Sequence, residues 1–424
     1  MNIEDKNPDL KSSFQKGLIT GLLICSLFAL IFLFVAKGGI HPVQKQTETD
    51  QTSGDTQVSM SDIEKKLESL ESLVDEYYYY SDDMDTSAIA DKVYAAYIAG
   101  LEDKYSEYYT ADEMQKRMES INGSYCGIGA VVSKNEDGGI TIILPYENAP
   151  AANAGLQPGD IILSIDGTDL SGMELEQAVT LVKGEEGTSA VFKVRRGEEE
   201  FETTITRQQV NVPTVSYEMK EGNVGYIYIS SFEMSTPEQY KNAIDDLLNQ
   251  GAEGIVFDLR NNGGGALDAV IDMLDYILPE ELLMYVEDKF ENRKNYYSEA
   301  ECIDETLPMA VIINGNSASA SEVFTGALQD YGRAKIFGTK SYGKGVVQNL
   351  IPLNDGSGVK LTIAEYFTPL GRNFNNNGID PDETVELPDE SQTEAYDEKG
   401  YLKEGYDTQL NAAVSYIQSQ IAEK

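Results

Sequence analysis

From Val224 onward, the chain alternates short apolar strands with helical patterns, and few architectures accommodate such an alternation. The strand-like segments are "VGYIYIS", "EGIVFDL" and "PMAVIIN", and each is followed by a loop and a helical pattern. Two of the loops, "RNNGGG" and "GNSASASE", are rich in small residues. Buried strands that alternate with helices form open α/β sheets, which hold functional sites at the carboxyl ends of their strands. The sequence therefore predicts an α/β core over residues 209–388.

Residues 122–208 have a different pattern, typical of a separate β-rich module. The segments "GIGAVVSK", "GGITIILPY", "GDIILSIDG" and "SAVFKVRRG" are short strands bounded by Gly, Pro and Asp turns. Two helical segments, "NAPAANAG" and "SGMELEQAVTLVKG", interrupt these strands. The chain is therefore expected to be a multidomain α+β protein.

A helical region is predicted over residues 61–121, before the β-rich module. Apolar residues recur at helical spacing over residues 61–77, and Ser61 and Glu64 have the spacing of a capping box. A second helix is predicted over residues 88–101.

A further helix ends the chain, in a C-terminal helical region of residues 389–424. Leu410, Ile417 and Ile421 lie on one side of this helix. We hypothesise that the amphipathic helices at residues 61–77 and 407–422 form subunit contacts, because their apolar faces lie outside both folded modules. We therefore expect a homo-oligomer, a dimer or larger.

Residues 17–36 form an apolar run without a charged residue, about the length needed to cross a bilayer as a helix. Lys11 and Lys16 precede the run, which favours a cytoplasmic N-terminus and an external body. A cleaved signal peptide is the alternative, but no clear A-x-A site follows. We expect a single-pass cell-membrane protein with residues 1–37 as tail and anchor, residues 38–60 as a linker, and an extracytoplasmic body.

The composition excludes several classes of function. With 72 acidic and 32 basic residues, the formal net charge is −40, which makes nucleic acid and anionic lipid poor partners. The single histidine, His41, lies in the polar linker, so a Ser-His-Asp or Cys-His site in the folded body is nearly excluded. A zinc site is improbable for the same reason, and no metal or cofactor is predicted. Cys126 and Cys302 imply no disulfide framework, although a single bridge between them stays open.

The segment "NGNSASASEVF", residues 314–324, places three serines in a small-residue turn between a buried strand and a helix. Amide N–H groups point outward at the start of a helix, so a serine there could attack a carbonyl while the next amide holds the oxyanion. The alternative is structural, because Ser319 and Glu322 also have the spacing of a capping box.

Lys344 lies in "GTKSYGKGVVQ", which has nearly the spacing of a phosphate-binding loop. Gly345 stands where such a loop has Ser or Thr, and a strand follows instead of a helix, so a nucleotide enzyme is not supported. Without a usable histidine, a hydrolytic serine needs another base, and a buried lysine with a lowered pKa can serve. Gln348 is predicted on the same side of the strand as Lys344 and could orient it. The alternative is a surface lysine at a turn.

Together, "DLRNNGGG", "GNSASASE" and "YGKGVVQ" resemble the carboxyl-terminal processing proteases, serine endopeptidases with a Ser-Lys dyad. The resemblance covers roughly residues 60–424 and extends to "GLEDKYSEYYTADE", "YCGIGA", "APAANAGLQPGDIILSIDG", "YFTPLG" and "NGIDPDETVE". It implies a crotonase-like protease core and a membrane-anchored endopeptidase that cleaves proteins near their C-termini.

The resemblance also assigns roles to individual residues. Ser319 becomes the nucleophile, Lys344 the general base and Gln348 its orienting partner. The oxyanion hole is formed by the N–H of Ala320 and a glycine amide within residues 263–265, of which Gly263 and Gly264 are the main candidates.

The β-rich module then resembles a PDZ domain. Its loop Gly127, Ile128, Gly129 and Ala130 is expected to bind the carboxylate of a substrate C-terminus and to gate activity. The competing hypothesis is a non-catalytic PDZ scaffold, against which the intact serine, lysine and glutamine argue.

Overall fold

The computed structural model of the chain describes residues 58–135, 138–299, 302–389, 394–395, 402–403 and 405–423. The predicted anchor at residues 17–36 lies outside these residues. No helix in the part of the chain that the structure describes is both long and apolar enough to cross a bilayer. The chain divides into two compact units, Met1–Met84 and Asp85–Lys424.

The first unit contains helix α1, Met60–Tyr77, and a single 3₁₀ turn, Ser81–Asp83. The predicted capping box of Ser61 and Glu64 is wrong by two residues. Ser59 caps the helix: its side chain accepts the N–H of Asp62 at 3.2 Å, and the Asp62 carboxylate accepts the N–H of Ser59 at 3.1 Å. Both pairs have the required spacing, so local sequence did not discriminate between them.

The second unit begins with a helical region of three elements: α2 Thr86–Ala99, β1 Glu107–Tyr109 and α3 Ala111–Asn122. The second predicted helix is confirmed, two residues earlier than expected. Strand β1 pairs in antiparallel register with a strand from much later in the chain, with Tyr108 opposite Val359. Residues 86–122 are therefore joined to the α/β core by backbone hydrogen bonds.

The β-rich module forms as predicted. Its elements are β2 Ser124–Gly127, β3 Ala130–Lys134, β4 Ile140–Pro145, α4 Pro150–Asn153, β5 Ile161–Ile165, β6 Thr168–Asp169, α5 Leu175–Val182, β7 Ser189–Arg196, β8 Glu199–Thr206 and β9 Gln208–Asn211. The main sheet has the order β3-β4-β5-β7-β8, with β6 on β5, and β2 pairs separately with β9. Inward-facing side chains such as Ile142, Phe192 and Val194 form the core of the module and are fully buried.

The α/β core contains ten strands and four helices among the described residues. They are β10 Val215–Lys220, β11 Val224–Ile229, α6 Thr236–Asn249, β12 Gly254–Asp258, α7 Leu267–Ile277, β13 Leu282–Asp288, β14 Arg293–Tyr297, β15 Met309–Ile313, α8 Ala320–Asp330, β16 Lys335–Gly338, β17 Val346–Pro352, β18 Gly358–Phe367, β19 Glu383–Thr384 and α9 Thr408–Glu423. The central sheet has the order β10-β11-β12-β15-β16-β19 and is parallel from β11 to β19. A second sheet has the order β1-β18-β13-β14, with β17 on β18.

Helices cover both faces of the central sheet. Helices α6, α7 and α8 pack on the face that carries Phe257 and Val311. Helix α9 packs on the opposite face, where Ala413 and Ile417 are fully buried against strands β11, β12, β15 and β16. The apolar side of α9 is thus packed within its own chain, so the expectation that this face lies outside the folded modules is wrong.

Candidate active site

Two loops meet at the carboxyl edge of the central sheet, because β12 and β15 are neighbouring parallel strands. The N–H of Ala318 donates to the carbonyl of Asn262 at 3.0 Å. The amide side chain of Asn314 donates to that of Asn261, also at 3.0 Å. The glycine loop and the serine loop are therefore one hydrogen-bonded unit.

Only one of the three serines in this unit points into a cleft. Ser319 has φ 57° and ψ −115°, a conformation that residues with side chains rarely adopt, and it immediately precedes α8. Such strain at a sharp strand-to-helix turn is typical of nucleophilic serines. The hydroxyl of Ser317 donates to the carbonyl of Leu259 at 2.8 Å, and that of Ser321 to the carbonyl of Asn262 at 2.9 Å. These two serines hold the loops together.

The glycine loop lies directly behind Ser319. A Cβ atom on Gly264 would come within 2.8 Å of the Ser319 Cβ and 2.9 Å of the Ala320 nitrogen, so only glycine fits there. The N–H of Gly264 is already donated to Asn262 Oδ1 at 2.8 Å. Among the described residues the N–H of Gly263 has no such partner, which makes Gly263 the better of the two glycine candidates for an oxyanion donor.

A cleft of about 570 Å³ brings the predicted site residues together. It is lined by Ser319, Lys344, Gln348, Gly263 and Gly264. Sequence reasoning did not foresee the residues that other segments contribute: Arg117, Ser120 and Ile121 from α3, Glu233 and Met234 from the loop before α6, and Lys360, Ile363 and Tyr366 from β18.

Lys344 is half-buried, in the loop between β16 and β17. Its Nζ lies 4.9 Å from the centre of the Tyr105 ring, which shields it from solvent. Tyr105 belongs to the segment between α2 and β1, so the helical region helps to form the surroundings of this lysine.

The surroundings of Lys344 favour the neutral amine. Burial lowers the pKa of Lys344 below its ordinary value, and the positive charges of Lys360 and Arg117 lower it further. The carboxylates of Asp103 and Glu322 act in the opposite direction with smaller effects. Because a neutral amine can accept a proton, this is the electrostatic environment that a lysine base requires.

Gln348 lines the cleft, but strand β17 is not regular there. A register shift between Val347 and Gln348 interrupts the strict alternation from which its orientation was predicted. The Gln348 side-chain N–H donates to the carbonyl of Val346 at 3.1 Å. The glutamine side chain is therefore bonded back to the backbone of its own strand, two residues after Lys344.

Glu322 connects the serine to the lysine and was regarded in the sequence only as a cap. Its buried carboxylate accepts the N–H of Ser319 at 2.9 Å and the N–H of Lys344 at 2.8 Å. It also accepts the Ser341 hydroxyl at 2.6 Å and the N–H of Gly343 at 2.7 Å. Burial raises the pKa of Glu322, and these four donors oppose that effect. One carboxylate thus fixes the backbone at both Ser319 and Lys344.

Glu322→Gln is expected to lower the rate of peptide cleavage by about 100-fold, because a displacement near 1 Å at a reacting group has a cost of that order. The glutamine NH₂ would face donors where the carboxylate accepts. The matched control is Glu113→Gln, at the same position of the exposed capping box of α3. There, among the described residues, the Glu113 carboxylate accepts hydrogen bonds from Thr110 alone. Steady-state rates and melting temperatures should be measured for both variants. Equal rates in the two variants would contradict the linking role.

Tyr125, in strand β2, lies beside the loop of the β-rich module. Gly127, Ile128 and Gly129 are buried, and the Tyr125 hydroxyl lies near the N–H groups of Gly129 and Ala130. A Cβ atom on Gly127 would come within 2.8 Å of the Tyr125 ring. Burial raises the pKa of Tyr125 to about 12, so the hydroxyl is neutral at physiological pH.

Within the described ranges, no group of three or more His, Cys, Asp or Glu side chains could hold a metal ion. Cys126 and Cys302 are both free thiols, which settles the question of a bridge between them.

The fold and the cleft define a multidomain serine peptidase, and comparison with known proteins gives its family. Residues 223–385 match the model of peptidase family S41, and residues 141–196 match that of a PDZ domain. The chain is 31% identical over 422 residues to a probable CtpA-like serine protease of Staphylococcus haemolyticus, covering 93% of this chain and 84% of that protein. A probable CtpA-like serine protease of Staphylococcus epidermidis is 35% identical over 76% of this chain and 66% of its own.

Among solved structures, the chain is similar to a photosystem II D1 C-terminal processing protease, with 29% identity and a TM-score of 0.45. That match covers 72% of this chain and 84% of the other. On the staphylococcal alignments, the chain belongs to the CtpA-like serine proteases, and its residues 223–385 match peptidase family S41. The predicted resemblance and the predicted class of enzyme are confirmed.

Proposed function

We propose that this protein cleaves proteins near their C-termini with a Ser319–Lys344 dyad. The observation that carries the proposal is the pairing, in one cleft, of a conformationally strained serine and a half-buried lysine of lowered pKa. The body of the chain has no histidine that could replace the lysine.

In the proposed mechanism, neutral Lys344 takes the proton of the Ser319 hydroxyl while the Ser319 oxygen bonds to the scissile carbonyl carbon. The N–H groups of Ala320 and Gly263 stabilise the oxyanion. Lys344 then gives the proton to the departing amine as the C–N bond breaks. In the second half, water loses a proton to Lys344 and attacks the acyl group. Ser319 leaves and recovers its proton. Gln348, which lines the same cleft, orients the lysine.

The PDZ domain is proposed to recognise the free C-terminus of the substrate and thereby to gate cleavage. Its loop amides at Gly129 and Ala130 would bind the terminal carboxylate, and an adjacent strand would pair with the peptide. Because the Tyr125 hydroxyl lies near these amides, we propose that an incoming carboxylate displaces it. The Tyr125 ring also lies 5.1 Å from Lys183 Nζ, and Lys183 pairs with Glu119 of α3 at 2.7 Å. Because α3 also lines the cleft, we propose that this contact couples peptide binding at the PDZ domain to the active site.

A pair of substrates tests C-terminal recognition: one unfolded polypeptide with a free C-terminus and the same polypeptide amidated there. The free form should be cleaved with the lower KM. Tyr125→Phe should lower that KM by about fivefold, because about 1 kcal/mol of competing hydrogen bonding is removed. The KM for the amidated substrate should be unchanged in the Tyr125→Phe variant.

Tyr146→Phe serves as the control, because Tyr146 is a half-buried tyrosine of the same domain. Cleavage of both substrates with equal KM would exclude C-terminal recognition while leaving the dyad intact.

The location of the protein is also a proposal. We propose that residues 17–36 anchor it in the cell membrane and place the protease outside the cytoplasm, on the basis of the apolar run and the lysines before it. An oligomer, if formed, would use helix α1, none of whose residues is buried, since the apolar side of α9 is occupied.

A further inference from the structure

Tyr366 lies close to Ser319 and to the backbone that follows Lys344. It lies near the end of β18, lines the cleft and is only 6% exposed. Its backbone N–H donates at 2.9 Å to the carbonyl of Gly345, the residue that follows Lys344. Its ring stacks on Phe374, with 6.2 Å between ring centres and 12° between planes. The phenol is therefore held in one place.

The side chain of this tyrosine shares the cleft with the nucleophile. Ser319 and Tyr366 both line it, and the Tyr366 hydroxyl is near enough to the Ser319 side chain to interact with it. Burial raises the pKa of Tyr366 far above its ordinary value, so the phenol keeps its proton and cannot act as a base. A neutral phenol can donate a hydrogen bond, and the serine oxygen can accept it with one lone pair while donating its own proton elsewhere.

We propose that Tyr366 is a third catalytic residue, whose hydroxyl donates a hydrogen bond to the Ser319 oxygen. This proposal rests on the Ser319–Lys344 mechanism above. The bond fixes the serine rotamer and leaves the serine proton directed at Lys344. It also stabilises partial negative charge on the serine oxygen, both when that oxygen attacks the carbonyl and when it leaves the acyl group. The phenol proton is not transferred, so the proton balance of the dyad is unchanged.

The core offers a matched comparison for a tyrosine hydroxyl. Tyr240 is also buried in this core, and its ring lies 6.3 Å from that of Phe324 in α8. Among the described residues its hydroxyl has no hydrogen-bond partner. Removing the Tyr240 hydroxyl tests what a phenol-to-phenyl change does to the fold alone.

The experiment compares Tyr366→Phe with Tyr240→Phe. Tyr366→Phe should lower kcat by about 10- to 100-fold, a smaller effect than removing an oxyanion donor has on kcat. The KM should stay within about twofold of the unmodified protein. It should slow the covalent inactivation of Ser319 by a fluorophosphonate by a similar factor, which reports the reactivity of the serine directly. Tyr240→Phe should change neither rate. Melting temperatures should stay within about 2 °C of the unmodified protein.

Two results would overturn the proposal. One is a Tyr366→Phe enzyme with kcat and fluorophosphonate rate within twofold of the unmodified protein. The other is a Tyr366→Phe protein that unfolds at the assay temperature, because the hydroxyl would then be structural. The dyad itself is tested separately: if Ser319→Ala retained activity, the mechanism would fail regardless of Tyr366.

Discussion

Ser319→Ala is expected to lower the rate of peptide cleavage by about 10⁴-fold or more, the scale of losses when a serine nucleophile is removed. The fold should survive, since Ser319 contributes its side chain to the cleft and its backbone to the helix start. The measurement is cleavage of an unfolded polypeptide by residues 58–424, with melting temperature recorded alongside.

The neighbouring serines are the internal controls for this prediction. Ser317→Ala and Ser321→Ala should lower stability by about 1 kcal/mol each, because each loses a buried hydrogen bond to a carbonyl, and should damage activity less. Ser319→Gly should also be inactive, yet more stable by about 1 kcal/mol, because glycine adopts a φ of 57° without strain. An inactive Ser321→Ala beside an active Ser319→Ala would refute the assignment.

Lys344→Arg is expected to abolish cleavage as completely as Lys344→Ala. A guanidinium keeps its proton at any pH that the protein tolerates, so arginine preserves the charge but cannot act as a base. Cleavage rates of the two variants, measured beside the unmodified protein, check this. Gln348→Ala should be impaired but not inactive, because the glutamine orients and does not transfer the proton. His41→Ala should have no effect on the rate.

The pH dependence of the unmodified enzyme follows from the lowered pKa of Lys344. The active form is the neutral amine, so activity should be absent well below that lowered pKa and should rise as pH increases through it, before the ordinary value of 10.5. Arg117→Gln should move the rise to slightly higher pH, since the Arg117 charge lowers the Lys344 pKa from an exposed position. Near-full activity in Lys344→Arg, with no pH dependence, would rule out the lysine base.

Much of this site was predictable because its determinants are local. The apolar strands before "RNNGGG" and "GNSASASE" indicated parallel neighbours, and the carboxyl ends of such neighbours share one edge of a sheet. The structure places both loops there, with Gly264 against Ser319. The absence of histidine from the body narrows the choice of catalytic base on the sequence alone.

Other features depended on contacts between segments that are distant in the chain. Ser317 and Ser321 are tied by hydrogen bonds to the preceding strand end and the glycine loop, whereas Ser319 has the strained backbone and lines the cleft. Glu322 matches a simple cap in sequence, and its second set of partners lies about twenty residues later. Tyr366 reaches the serine only because β18 pairs with β17 and β13.

The sequence by itself therefore determined the types of element, the α/β alternation, the family and the candidate chemistry. Tertiary structure decided which serine lines the cleft and which carboxylate joins the Ser319 turn to the Lys344 loop. It also decided where the side of α9 that carries Ile417 packs. The physical reason is that periodicity and capping are set by residues within a few positions of one another. Burial and sheet register are set by surfaces that meet only when the chain has folded, and the lowered pKa of Lys344 is a product of that burial.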